Sequence, residues 1–325
     1  MISSIKRLDL FKFAKNNVML VFMLIAVLVM WISIPSFGNV SNVISLFNQI
    51  CIYGVAALGM TFLIIAGEFD MSMGSVLSFT TIIVAFFCRF LNNMFLGILC
   101  GLAIGALFGF VNGFLAVKGK INVFIVTLST MVIIKGMSIT FCDILGLPSS
   151  IQINNDYLYK FGSGKIFGVP YLVILFLILV VISSFIMKNT VFGRRLYAIG
   201  GNPDVSAVAG VNVGRNKIYA FIIAGFSAGV AGVMMVSKMQ AGIPLYADDL
   251  PLTAVCSVVL GGGSLAGGRG NAFNTLVGII IISLMTNAFN LLGVNPYVQN
   301  TIKGLVVVIV VVADGLIKVK RSQGR

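Results

Sequence analysis

Ten long runs of apolar residues dominate this chain, and several of them have no polar face. The run LVILFLILVVISSF at residues 172–185, for example, is apolar on every side. A helix needs about 20 such residues to cross the hydrocarbon core of a bilayer, where every backbone polar group must be paired. The strict alternation that is typical of a β-barrel is absent from these runs. The predicted spans lie near 18–34, 43–66, 73–90, 94–117, 122–142, 169–187, 217–237, 250–263, 271–292 and 297–316.

Composition agrees with this prediction, because the 325 residues are 59% hydrophobic and only 10% charged. A soluble globule of this size carries about 25% charged residues. We therefore predict an all-α fold, a polytopic transmembrane helical bundle of about ten spans that residues 1–325 form as a single domain. The five cysteines lack the paired spacing of a zinc site or a disulfide framework, so we expect no metal and no cofactor.

The Lys and Arg residues predict the orientation of the bundle. Short cytoplasmic loops carry an excess of positive charge, and an even number of spans with both basic ends inside places most of the 22 Lys and Arg residues there. The formal net charge of +13 is then explained by topology and by attraction to anionic membrane lipid, so we expect no nucleic acid as a partner. The basic residues before the first span are Lys6, Arg7, Lys12 and Lys15.

The longest basic polar stretch, Lys188 to Lys217, lies between two apolar runs and is predicted to face the cytoplasm. Within it, Asn202 can accept from the free N–H groups of a first helical turn, Pro203 needs no N–H there, and Asp204 complements the helix dipole. Gly210 is placed to end this short helix, which suits docking on a soluble partner. The basic residues that would hold it just outside the membrane are Arg194, Arg195, Arg215 and Lys217.

Two glycine-containing motifs could indicate an enzyme, but each lacks a required group. The segment Gly225-Phe226-Ser227-Ala228-Gly229 fits the G-x-S-x-G nucleophile pattern, yet that chemistry needs a histidine and the chain has none. The run LGGGSLAGGRG at 260–270 resembles a phosphate loop without the Walker lysine. We therefore predict that the chain is not an enzyme and does not itself hydrolyse ATP.

Three features at membrane depth bear on packing and on a solute path. Glycines recur every four residues from Gly97 to Gly113, which predicts a ridge that another helix approaches closely. The apolar run after Pro251 is short and is followed by a glycine-rich segment, which predicts a broken helix near a solute path, with a tight turn as the alternative. Polar residues inside the spans could line that path, although hydrogen bonds between helices use the same residue types. These candidates are Asn48, Gln49, Thr61, Thr127, Ser129, Thr130, Asn287 and Asn290.

A weak internal sequence similarity, or echo, and two long loops bear on the arrangement of the spans. Residues 112–136 and 287–304 match in part, and because the matched spans run in opposite directions, a five-plus-five inverted repeat would fit. The loops at 143–168 and 238–249 carry Gly, Pro and polar residues. We expect both loops to lie on the outer surface, where they would meet an extracytoplasmic partner.

Five segments taken together resemble the ribose-type permease subunits of bacterial ABC importers. They are GEFDMSMGS (67–75), VFIVTLSTM (123–131), FGRRLYAIGGNPDVSAVAGV (192–211), VVLGGGSLAGGRG (258–270) and NLLGVNPYVQNTIKG (290–304). That family usually has glycine in place of Glu68, proline in place of Val123 and a Glu-Leu-Asp type segment in place of 251–253. These departures leave the identity of the sugar open.

The resemblance implies a permease of the bacterial cytoplasmic membrane that imports a monosaccharide or a related small polar solute. The implied partners are a second permease copy or relative, cytoplasmic ABC ATPase subunits and an extracytoplasmic solute-binding protein. It places the contact with the ATPase within a coupling loop, residues 188–217. The alternative is an ion-coupled secondary transporter, which would need an ion-binding centre in the membrane. The residues expected to act in coupling are Arg194, Arg195, Asn202, Pro203, Asp204, Ala207 and Gly210.

Overall fold

The described part of the chain is a bundle of helices, in a computed structural model that covers residues 18–147 and 150–323. The basic residues Lys6, Arg7, Lys12 and Lys15 lie outside those ranges. The helices are α1 (Val18–Ser33), α2 (Val40–Ile65), α3 (Met73–Phe90), α4 (Met94–Lys118), α5 (Val123–Ile144), α6 (Asp156–Ser163), α7 (Tyr171–Asn189), α8 (Val191–Gly201), α9 (Pro203–Val208), α10 (Val213–Met239), α11 (Leu250–Leu260), α12 (Ala272–Leu291) and α13 (Pro296–Gln323).

The strands of the described part are only two residues long each. They are β1 (Ile151–Gln152), β2 (Lys165–Ile166), β3 (Val169–Pro170) and β4 (Ala241–Gly242). β1 pairs antiparallel with β4, and β2 pairs antiparallel with β3. Such short strands leave the all-α class intact.

Each of the ten predicted apolar runs coincides with a helix, although the last helix continues to Gln323 rather than ending near 316: α1 to α5, α7, and α10 to α13. Among the described residues, seven helices are long and apolar enough to cross a membrane, namely α2, α3, α4, α5, α7, α10 and α12. By contrast, α11 has 11 residues, or about 16 Å of helix. The prediction of an all-α polytopic membrane protein is confirmed, and the number of ten crossings stays a prediction.

The core of the bundle is built around α2 and α10, whose residues are mostly buried. Their fully buried large side chains include Phe62 and Phe221. The helices α4, α5 and α7 bury one face and expose apolar side chains on the other, such as Leu107 and Phe185. This pattern is typical of helices that border lipid or another membrane subunit.

The glycine ridge of α4 packs against the backbones of its neighbours within the bundle. Gly105 and Gly109 lie against α10, and a Cβ at Gly109 would approach the Phe221 carbonyl oxygen closer than 3.0 Å. Gly225 of the G-x-S-x-G segment faces Gly105 from the other side. The Ser227 hydroxyl donates to a carbonyl one turn earlier in the same helix, at 2.8 Å. Both motifs therefore serve close helix packing, as small residues do in membranes.

The loop between α10 and α11 does not stay on the outer surface, so that prediction is wrong for most of its length. It runs along α3, where the Ile243 N–H donates to the Thr81 hydroxyl at 3.1 Å and the Ala247 N–H donates to the Ser78 hydroxyl at 3.3 Å. A Cβ at Gly74 would collide with the Ala247 carbonyl. Small and hydroxyl residues on one face of α3 thus make room and supply hydrogen bonds for an extended chain inside the bundle.

Candidate functional site

The short helix that the sequence predicts outside the membrane is present as α9. The side-chain oxygen of its N-cap, Asn202, accepts hydrogen bonds from the N–H groups of Asp204 and Val205, both at 3.0 Å. Pro203 is the first helical residue. The chain leaves the helix at Gly210, whose φ of +81° is a conformation that favours glycine. Local side-chain chemistry therefore folds this segment as predicted.

Most side chains of α9 point away from the bundle. Val205 and Val208 are 64% and 91% exposed, and Ala207 is exposed between them. Arg194 and Arg195, on the preceding helix α8, are exposed as well. An apolar patch rimmed by charged side chains is a common form of protein docking surface. The role of these residues in coupling stays a prediction.

The helix α8, which carries α9, is fastened to two other parts of the bundle. Gly200 packs against the carbonyl of Ile65, the last residue of α2, and against the N–H of Gly268. That N–H donates to the Ile65 carbonyl at 2.9 Å. The Tyr197 hydroxyl donates to the Gly270 carbonyl at 2.6 Å, and burial raises the pKa of this phenol, so it keeps its proton. The helix α8 is therefore in direct contact with both the end of α2 and the glycine-rich segment after α11.

The polar candidates on α2 lie far from one another. The Thr61 hydroxyl is buried and 2.9 Å from the hydroxyl of Thr275 on α12. Asn48 is buried, and its amide nitrogen has no hydrogen-bond partner within the described ranges. Gln49 beside it is half-buried. Because Asn48 and Thr61 are about 20 Å apart along the helix, they cannot belong to one small site.

The candidates on α5 divide between its buried and its exposed face. Thr127 and Thr130 are buried and donate to carbonyls of the same helix, at 3.4 Å and 2.9 Å. Ser129 is exposed, and so are Gly136 and Thr140, which follow it on the same face. The exposed part of α5 therefore carries these three residues among large apolar side chains such as Ile133 and Met137.

The two remaining candidates lie near the end of α12. Asn287 exchanges two amide hydrogen bonds with Asn42 of α2, at 2.7 Å and 3.1 Å. Asn290 is exposed and accepts a hydrogen bond from Gln299 at 2.9 Å. The eight candidates thus occupy separate places in the bundle, and most of their hydrogen bonds join neighbouring helices or turns.

Two ion pairs that the sequence reasoning missed meet at the start of α11. The Asp248 carboxylate lies 3.0 Å from the Lys135 ammonium on α5, and the Asp249 carboxylate lies 2.8 Å from the Lys303 ammonium on α13. Asp249 also accepts a hydrogen bond from the hydroxyl of Tyr53 on α2, at 3.1 Å. Within the described ranges, no group of three or more His, Cys, Asp or Glu side chains is placed to hold a metal ion.

A signal for these ion pairs was present in the sequence. The internal echo aligns Ile-Lys-Gly at 134–136 with Ile-Lys-Gly at 302–304, so that Lys135 and Lys303 occupy equivalent positions. Both lysines fall inside predicted spans, where a charged residue calls for a partner. Their partners could not be identified because the two aspartates lie in a segment that was predicted to form a surface loop.

A further ion pair joins the coupling loop to the end of α2. Lys217, at the start of α10, pairs with Glu68 in the loop between α2 and α3. Both residues line a cleft of about 260 Å³ at this end of the bundle. Lys217 thus ties the predicted coupling loop to the end of α2.

Comparison with known proteins gives a family for the chain. A family model described as branched-chain amino acid transport system / permease component matches residues 42–311. The ribose import permease protein RbsC of Haemophilus influenzae is 34% identical over 88% of this chain and 89% of its own length. The protein of the same name from Bacillus subtilis is 37% identical, over 89% of each chain. The L-arabinose transport system permease protein AraH of Escherichia coli is 33% identical over 87% of this chain and 85% of its own.

No solved structure matches the chain. The matched residues 42–311 include most of α2 and all of α3 to α12, with the short helix α9 and both ion pairs at the start of α11. The relatives are transport permeases rather than enzymes, and they confirm the resemblance carried by the five sequence segments. The chain therefore belongs to the ribose-type family of ABC importer permease components.

Proposed function

We propose that this chain is the membrane subunit through which a binding-protein-dependent ABC importer moves a monosaccharide across the bacterial cytoplasmic membrane. The relatives named for ribose and L-arabinose support a sugar as the solute. The observation that carries the proposal is α9, a capped helix with exposed valines that is linked through α8 to the end of α2 and to the segment after α11. Closure of ATPase subunits beneath α9 would pull on both.

The exposed face of α5 supports a path between this chain and a second permease subunit. Small residues such as Gly, Ser and Thr are enriched where membrane helices approach one another closely. Ser129, Gly136 and Thr140 lie on a face of α5 that the described part of the chain leaves uncovered, with the exposed Ile133 beside them. A second copy or relative on that face would complete the surroundings of these residues. Of the eight predicted path residues, Ser129 fits such a path best.

The same proposal includes ten crossings, a five-plus-five inverted repeat and a single domain with a cytoplasmic coupling loop at 188–217. The ten helices at the predicted spans support the number of crossings. The repeat is supported by Lys135 and Lys303, which occupy equivalent positions in the echo and pair with adjacent aspartates. In transporters with inverted repeats, the repeats meet near the middle of the membrane.

Membership of the family also implies the other subunits of the complex. We propose that cytoplasmic ATPase subunits bind at the coupling loop and that a solute-binding protein delivers the sugar to the outer side. Exposed aromatic residues in the segment between α5 and α7, among them Tyr157 and Phe167, support a binding surface there. An ion-coupled secondary transporter is not favoured, because the relatives are importer permeases.

The docking role of α9 can be tested by substitution at Ala207. Ala207→Arg places a bulky charge between the two exposed valines, so we expect the chain to insert normally while solute-stimulated ATP hydrolysis by the reconstituted complex is abolished. Ala207→Ser is the matched control, because it keeps a small side chain, and it should retain stimulation. Undiminished stimulation in Ala207→Arg would contradict the docking role.

A further inference from the structure

The start of α11 lies beside the middle of α2 and of α5, where its neighbours are Tyr53 and Lys135. The chain before it follows α3 from Ala85, where β4 packs, to Gly74, where the Ala247 carbonyl packs. Gly74 and Ala85 are separated along the helix axis by about 16 Å. Asp249 then accepts its hydrogen bond from Tyr53, which lies about 18 Å along α2 from the end of that helix. This crossing is therefore half extended chain and half helix, with two aspartates at the junction.

Two helices bring a lysine to this junction. Lys135 comes from α5 and pairs with Asp248, while Lys303 comes from α13 and pairs with Asp249. In the proposed topology α5 and α13 run in opposite directions and belong to different repeats. In many secondary transporters with inverted repeats, the solute site lies near the midplane, where the repeats meet at discontinuous helices. The junction has that position and that architecture.

The two ion pairs differ in their access to the surroundings. The side chains of Lys303 and Asp249 are 3% and 25% exposed, whereas those of Lys135 and Asp248 are 27% and 51% exposed. Asp249 is held further by Tyr53. The Lys303–Asp249 pair therefore anchors α11. The Lys135–Asp248 pair leaves charged groups accessible to a molecule in the space beside α5.

A half-exposed ion pair at this depth is incompatible with lipid as its neighbour, because ionised groups in hydrocarbon are costly and normally face the bundle or a water-filled cavity. On the basis of the proposed function, we propose that Lys135 and Asp248 form a contact site for the solute inside the path. The solute class is an uncharged polyol, which the two side chains hydrogen bond as it passes.

The chemistry of the pair explains this choice of solute. An ammonium group only donates hydrogen bonds and an ionised carboxylate only accepts them, whereas each sugar hydroxyl does both. A polyol can therefore bridge Lys135 and Asp248 in either orientation, and the neutral pair neither repels nor traps it. A zwitterion such as leucine has a fixed polarity, because its carboxylate must face Lys135 and its ammonium Asp248. Exchanging the two charges therefore distinguishes the two solutes, because a polyol tolerates the exchange whereas a zwitterion would have to reverse its orientation.

The test uses the complete complex in proteoliposomes, with radiolabelled ribose and leucine as probes. Lys135→Gln and Asp248→Asn should each lower ATP-driven ribose uptake about tenfold, as expected for loss of a hydrogen bond to a charged group. Their melting temperatures should stay close to that of the unmodified complex. The exchanged double variant, Lys135→Asp with Asp248→Lys, should recover most of the ribose uptake. As controls, Asp249→Asn and Lys303→Met should lower the melting temperature instead.

Three results would overturn the inference. Ribose uptake at the unmodified rate in both Asp248→Asn and Asp248→Ser would refute the contact site but would not contradict the proposed function. A stable exchanged double variant without ribose uptake, or an unmodified complex that takes up leucine in preference to ribose, would overturn the assignment to an uncharged polyol. Absence of any ATP-driven uptake by the unmodified complex would refute the proposed function, and this inference with it.

Discussion

Gly200 is the position where a single methyl group should separate the docking helix from the bundle. A Cβ there would lie closer than 3.0 Å to both the Ile65 carbonyl oxygen and the Gly268 nitrogen, so α8 must move away in Gly200→Ala. That movement strains the packing, at a cost of about 1–3 kcal/mol. It also disturbs the hydrogen bond from Gly268 to Ile65, which costs about 1–3 kcal/mol if its groups stay buried.

The neighbouring glycine supplies a matched control for this substitution. Gly201 is exposed, and a Cβ on it would meet nothing within 4 Å. Both substitutions gain up to about 1 kcal/mol of helix propensity. The net result is a destabilisation of roughly 1–5 kcal/mol for Gly200→Ala, and no loss for Gly201→Ala.

The assay is thermal unfolding of the purified permease, followed by ATP-driven uptake in the reconstituted complex. We expect Gly200→Ala to unfold at a lower temperature and to hydrolyse more ATP for each solute molecule imported, because α8 no longer moves α2 and the segment after α11 together. If both variants unfold at the same temperature and import equally per ATP, the three-way contact does not transmit motion and the reasoning fails.

Two further predictions concern local packing and capping. Gly109→Ala should lower the stability of the bundle by about 1–3 kcal/mol, because its methyl group meets the Phe221 carbonyl, whereas Gly136→Ala, with nothing within 4 Å, should not; equal melting temperatures would contradict this. Asn202→Ala should cost the cap of α9 about 1 kcal/mol and speed limited proteolysis of the coupling loop, while Asn202→Ser should not. A cleavage rate unchanged in the alanine variant would show that the cap is dispensable.

Features that depend on a short stretch of residues could be predicted from the sequence. The apolar runs fix where helices form, because lipid leaves the backbone no other partner within a span. The helix α9 follows from Asn202, Pro203 and Gly210, whose effects act over a few residues. The spacing of glycines on α4 likewise predicts close packing, although it does not say that α10 is one of the partners.

Features that depend on contacts between distant residues could not be predicted in the same way. Asn287 and Thr61 are polar residues inside spans, as path residues would be, yet they form hydrogen bonds with Asn42 and Thr275 on neighbouring helices. The descent of the chain along α3 depends on a groove that only the folded bundle provides. The segment that carries Asp248 is predicted to lie on the outer surface, so its pairing with Lys135 could not be predicted.

The most direct test of the account is uptake of radiolabelled ribose by proteoliposomes that contain this chain, with the energy source as the variable. With the ATPase subunits and the solute-binding protein present, uptake should require ATP on the side of the coupling loop. With the chain alone, a proton or sodium gradient should drive none. Gradient-driven uptake by the chain alone, at a rate that ATP and the other subunits do not raise, would contradict the proposal that a separate ATPase moves this bundle.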